Sequence, residues 1–101
     1  MTKDFHSKSL EMLFDAILTL ENKEECYRFF EDICTINEMQ AMAQRFEVAG
    51  LLREKETYQN IFKETGASTA TISRVNRFIN YGNGGYQLVW DRLDEKNKNE
   101  E

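Results

Sequence analysis

The chain has 101 residues, 31% of them charged, with a net charge of −5, no proline and two cysteines. That length supports one domain rather than two. It excludes a transmembrane span, for there is no long apolar run, and the polar opening Met1-Thr2-Lys3-Asp4-Phe5 lacks the apolar stretch of a signal peptide.

The absence of proline, together with the abundance of Glu, Lys, Leu, Ala, Met, Gln and Arg, predicts a chain that is helical nearly throughout. A first helix is expected from about Ser7 to Leu20, where Leu10, Leu13, Phe14, Ile17 and Leu18 recur at helical spacing. Asn22 reads as the cap of a second helix, with Glu25 as its reciprocal partner and Cys26, Phe29, Phe30, Ile33 and Cys34 as its apolar set. Thr35-Ile36-Asn37-Glu38 has the form of a capping box and opens a third helix to about Arg53. Ile36, Met39, Met42, Ala43, Phe46, Ala49 and Leu52 are its expected buried stripe, and Gly50 is expected to allow close packing. After the charged connector Arg53-Glu54-Lys55-Glu56, Thr57 caps a short helix over Tyr58–Thr65. Gly66-Ala67-Ser68 makes a tight turn, and Ser68 caps a fifth helix over Thr69–Tyr81. Gly82-Asn83-Gly84-Gly85 stops it, and a last helix carries Tyr86, Leu88, Val89, Trp90 and Leu93 as core or interface residues. The folded domain is expected to span 1–93, and the apolar-free stretch 94–101 to be a disordered acidic tail.

Cys26 and Cys34, eight residues apart, and the single His6 offer no metal-ligand spacing. Both thiols are expected to be reduced and buried in a cytoplasmic protein, with no cofactor, metal or membrane involved. Met39 and Met42 read as core filler.

The charge is unevenly placed. Residues 1–44 carry nine acidic and four basic groups, and Glu24, Glu25, Glu31 and Asp32 form an acidic face. Residues 45–80 carry six basic and four acidic groups, and 65–80 hold Arg74 and Arg77 with no acid at all. Net acidity argues against nucleic acid, but phosphate attraction is screened beyond about 8–10 Å, so a locally basic face suffices.

That segment has the layout of a helix-turn-helix at 57–80. Gly66 suits a turn needing positive φ, and Ile61 is set to face Ile72 and Val75. On the other side of the second helix lie Ala70, Ser73, Arg74 and Arg77, with Thr69 and Thr71 at its start. Hydroxyl residues followed by arginines suit entry into a major groove, where threonine methyls meet thymine and arginine chelates guanine. Thr57, Tyr58, Gln59 and Ser68 are placed to hold phosphates. Two helices joined by a glycine turn also make a plain structural corner, and a Ser/Thr start is also a simple cap. Phe62 stands where the motif usually has a small residue, so either the helices sit slightly apart or Phe62 turns outward into a neighbouring core.

The runs Thr35-x-x-Glu38-x-x-Ala41-x-x-x-Arg45, Leu51-Leu52-Arg53 and Gly66-Ala67-Ser68-Thr69-Ala70-Thr71-Ile72-Ser73-Arg74 resemble the Trp repressor superfamily. Cys26-Tyr27-Arg28-Phe29-Phe30 and Asn80-Tyr81-Gly82-Asn83 bring it closer to the Trp repressor-like branch of YerC/YecD type. The resemblance spans about residues 8–93. It implies an all-α fold of about six helices, an intertwined homodimer with reading heads one DNA turn apart, and repression or related control of transcription on double-stranded DNA.

It also implies a tryptophan pocket, carried over only in part. Arg45, Arg74 and Thr35 match its two arginines and its threonine, while Val75 replaces a glycine and Phe78 a small serine. Both add bulk, so the pocket is expected to be filled and vestigial, and a small-molecule effector is left open. Arg45 reads equally well as a surface ion pair with a nearby glutamate. A protein-interaction module without DNA binding is the alternative function, favoured by the acidic residues of 21–38. An enzyme ranks last, because no phosphate loop, metal cluster or nucleophile-base pair is visible.

Overall fold

The computed structural model describes residues 5–99. They form six helices: α1 Lys8–Ile17, α2 Lys23–Ile33, α3 Ile36–Arg53, α4 Tyr58–Thr65, α5 Thr69–Tyr81 and α6 Gly85–Asn99. No strand occurs among the described residues, and none of their helices is long and apolar enough to cross a membrane. The first four of the five opening residues read for a signal sequence and the last two residues of the expected tail lie outside them.

The helix starts follow from side chains that satisfy free backbone N–H groups. Ser7 Oγ accepts from Leu10 N–H at 3.1 Å, and Asn22 Oδ1 from Glu25 N–H at 2.9 Å. The Glu25 carboxylate reaches Glu21 N–H rather than that of Asn22. At α3 the capping box is complete, with Thr35 N–H on Glu38 Oε1 at 2.7 Å and Glu38 N–H on Thr35 Oγ1 at 3.1 Å. Those bonds, the backbone one foremost, hold the Glu38 carboxyl below its ordinary range.

The chain divides into two compact units, Met1–Met39 and Gln40–Glu101. In the first, Phe29 and Phe30 meet edge to face at 5.5 Å, and no described residue is buried. Cys26 is exposed and Cys34 half-buried, which corrects the expectation of two buried thiols; both are free.

The second unit has a core of Val48, Ala49, Ile61, Ala67, Ile72, Val75 and Trp90, with Leu51, Leu52, Ile79 and Tyr86 packed against it. The stripe expected on α3 is only partly inside. Ala49 is buried and Leu52 half-buried, whereas Ile36, Met42 and Phe46 are exposed; Val48, outside that stripe, is buried as well. A Cβ at Gly50 would meet nothing, so that glycine marks no close packing within the chain.

α3 ends in a Schellman motif. Glu56 N–H bonds Leu51 O and Lys55 N–H bonds Leu52 O, both at 3.0 Å, and Lys55 takes the left-handed φ of +68°. α6 does not stop at residue 93 but runs to Asn99, against the expected disordered tail. Asp94 is tied to Arg53, Glu95, Lys96 and Lys98 are good helix formers, and the two lysines sit favourably at the carbonyl end of the helix.

Candidate nucleic-acid interface

α4 and α5 are both short, so their geometry depends on caps and on the turn between them. Thr57 Oγ1 accepts from Asn60 N–H at 3.1 Å and opens α4. Gly66 closes it in the left-handed region, φ +74°, with its N–H on Phe62 O at 2.8 Å. Ser68 Oγ accepts from Thr71 N–H and opens α5. Ile61, Ala67, Ile72 and Val75 are all buried in one cluster, so the two helices share a continuous apolar seam. Phe62 is 57% exposed, which settles its place: it turns outward and the seam closes without it.

That seam sets the opposite face of α5 to solvent. Thr69, Ala70, Ser73, Arg74 and Arg77 are exposed, as are Thr57, Tyr58 and Gln59 at the start of α4. Among the described residues, neither Arg74 nor Arg77 is held in an ion pair. Ser68 is exposed, but its hydroxyl is engaged: it takes the Thr71 N–H and donates to Thr71 Oγ1 at 3.1 Å. Thr71 is half-buried. The face therefore offers an exposed hydroxyl and methyl at Thr69, a hydroxyl at Ser73, two guanidiniums and no carboxylate, a set suited to phosphates and base edges.

The residues matched to a tryptophan pocket are disposed differently from one another. Thr35, in the first unit, uses both N–H and Oγ1 in the α3 capping box. In the second unit Arg45 and Arg74 are exposed, and Arg45 makes none of the ion pairs found among the described residues. Val75 is 2% exposed in the core, while Phe78 is 55% exposed. The two therefore do not jointly fill one space. Phe78 instead borders an apolar recess of about 340 Å³ shared with Phe46, Tyr86 and Val89.

Two contacts had no signal in the sequence. Gln44 Nε2, on α3, donates to the Thr65 carbonyl at 3.1 Å, and Asn60 Nδ2 donates to Glu56 Oε1 at 2.5 Å. Each joins polar residues at positions where periodicity marks only solvent.

Residues 8–94 match the family described as Trp repressor protein. YerC of Bacillus subtilis (strain 168) is 61% identical over 88 residues, which cover 87% of this chain and 85% of that one. A crystal structure of a TrpR-like protein from Eubacterium eligens ATCC 27750 superposes with a TM-score of 0.85 at 59% identity, covering 87% of this chain and 91% of that one. A Trp repressor candidate from Staphylococcus aureus gives 0.84 at 53%, covering 88% and 89%. With its all-α fold and its helix-turn-helix, the chain belongs to the Trp repressor family, on the Trp repressor-like side that includes YerC.

Proposed function

We propose that this protein is a homodimeric, sequence-specific DNA-binding repressor of transcription that does not respond to tryptophan. The observation that carries the reading is the solvent face of α5, where Arg74 and Arg77 stand exposed beside Thr69, Ala70 and Ser73 with no acid between residues 65 and 80. In this reading α5 enters the major groove. Thr69, Thr71, Ser73, Arg74 and Arg77 meet base edges, Ala70 allows close approach, and Thr57, Tyr58, Gln59 and Ser68 hold the flanking phosphates. The net charge of −5 does not oppose this, because the acidic groups concentrate at 1–44 and charge is felt over about 8–10 Å.

Support for a dimer comes from apolar side chains that this chain leaves uncovered. Met12 is 65% exposed and Ile36 72%, and Met42, Leu88 and Val89 also face solvent. Single apolar residues on a surface are ordinary, but several on α1, α3 and α6 suit helix pairing between copies.

Selection of bound fragments from sheared genomic DNA, at two salt concentrations, tests the function. A shared palindromic site whose recovery falls steeply with salt is expected. No enrichment at low salt would overturn it and favour the interaction module. Titration calorimetry with L-tryptophan is expected to show no binding, since Val75, in place of the pocket's glycine, is taken up by the core and Phe78, in place of its serine, offers the amino group no acceptor; clear micromolar binding would overturn that part.

A further inference from the structure

We infer that Gln44 is a positioning residue that sets the pose of the reading head on α3, an inference that rests on the DNA-binding reading and deepens it. The Thr65-Gly66-Ala67 turn is fastened by three side-chain bonds. Two are local: Thr65 Oγ1 donates to Ile61 O at 2.8 Å and accepts from Ala67 N–H at 3.1 Å. The third comes from outside, Gln44 Nε2 to the Thr65 carbonyl at 3.1 Å across 21 positions of sequence. Among the described residues it is the one side-chain hydrogen bond joining α3 to the helix-turn-helix.

The geometry shows why one bond matters here. Thr65 is the last residue of α4, and its carbonyl is among those that a helix end leaves without a partner in the helix. Three residues on, Ser68 caps α5. The amide therefore holds α3 to the point about which α4 and α5 turn. Val48 and Ala49 share one buried apolar cluster with Ile61, Ile72 and Val75, but apolar packing is non-directional and leaves rotation soft. A hydrogen bond is directional and removes that freedom. Gln44 is half-buried, its neighbour Arg45 is exposed, and its donor faces an acceptor, so a residue of equal size without N–H keeps the two local bonds but leaves the turn unfastened from α3.

Gln44→Met keeps bulk and helix propensity and removes the carboxamide, and with it the N–H that reaches the Thr65 carbonyl. The full-length variant is compared with wild type by affinity for the selected site and for unrelated DNA, by melting temperature, and by amide hydrogen exchange. Specific affinity is expected to fall about five- to tenfold, the ratio equivalent to one net hydrogen bond, with binding to unrelated DNA unchanged. Exchange at Gly66, Ala67 and Ser68 is expected to quicken while Ile72 and Val75 stay protected. A variant that only melts lower, with wild-type site affinity and turn exchange, overturns the inference. If wild type selects no DNA, the functional reading fails by itself, and turn exchange alone then decides the role of Gln44: faster exchange sustains it and unchanged exchange ends it.

Discussion

The guanidinium of Arg53 lies 5.0 Å from the centre of the Trp90 ring, and the same group donates to Asp94 at 2.5 Å. One side chain at the end of α3 thus holds α6 by its face and by its charge. The hydrogen bond from Arg53 is the main cause of the depressed Asp94 pKa, and Arg53 is in turn held more firmly protonated. A carboxyl depressed by folding contributes stability above its unfolded pKa and loses it as pH falls through the lower folded value. Wild type should therefore melt higher than Asp94→Asn at neutral pH, and the two should converge below the ordinary aspartate value of 3.8. The gap should be small, since the pair is open to solvent, with the Arg53 and Asp94 side chains 39% and 56% exposed. A gap that persists unchanged into strong acid would refute the assignment.

Lys55 carries a side chain in the left-handed region, where a non-glycine residue costs roughly 1–2 kcal/mol. Lys55→Gly should stabilise the protein by about 1 kcal/mol, a rise of roughly 4–8 °C for a small domain. Thermal melting reads this directly. A lower Tm would mean that the lysine side chain contributes more than its backbone costs.

Two glycines should respond in opposite directions. A Cβ at Gly82 would run into the Phe78 carbonyl, the acceptor of Gly82's own N–H, so Gly82→Ala should cost about 1–3 kcal/mol by denaturant unfolding. Gly50 faces open space inside α3, and Gly50→Ala should gain about 0.5–1 kcal/mol. A loss at Gly50 would show that something beyond the chain packs there.

Arg77→Ala should weaken binding to the selected DNA by about 1–3 kcal/mol and relax preference at one base position. Its side chain is exposed and free of any ion pair found among the described residues, so fold stability should hold. Unchanged affinity in a fluorescence titration would remove Arg77 from the reading face.

Much of this was readable residue by residue. Asn22, Thr35, Thr57 and Ser68 announce four helix starts because a cap is a local contact, complete within three residues. The turn at Gly66 and the Ile61, Ile72 and Val75 seam are equally local, and they place Thr69, Ser73, Arg74 and Arg77 outward. Other features depend on distance. Arg53 and Asp94 are 41 positions apart, and Gln44 and Thr65 are 21 apart, so no spacing rule joins them. Periodicity showed that Ile36, Met42 and Phe46 share an apolar face, but it carries no information on what covers that face. Val48 lay off the expected stripe because α3 is apolar on more than one side. α6 outlasted its apolar residues because propensity and one ion pair sustain it.

The first unit, where α1 and α2 bury no residue, has a consequence for the life of the protein in a cell. Helices without an interior of their own keep little free energy in reserve, and isolated helices of this length are marginal in water. In the homodimer proposed above, their persistence should depend on how many copies are present rather than on temperature alone. Limited proteolysis at falling protein concentration should cut between Lys8 and Ile33 first, while the segment around Ile61 and Ile72 survives. Cleavage independent of concentration would refute this. If it holds, newly made chains that find no second copy are the ones degraded, and the amount of the protein in the cell is set by assembly as well as by synthesis.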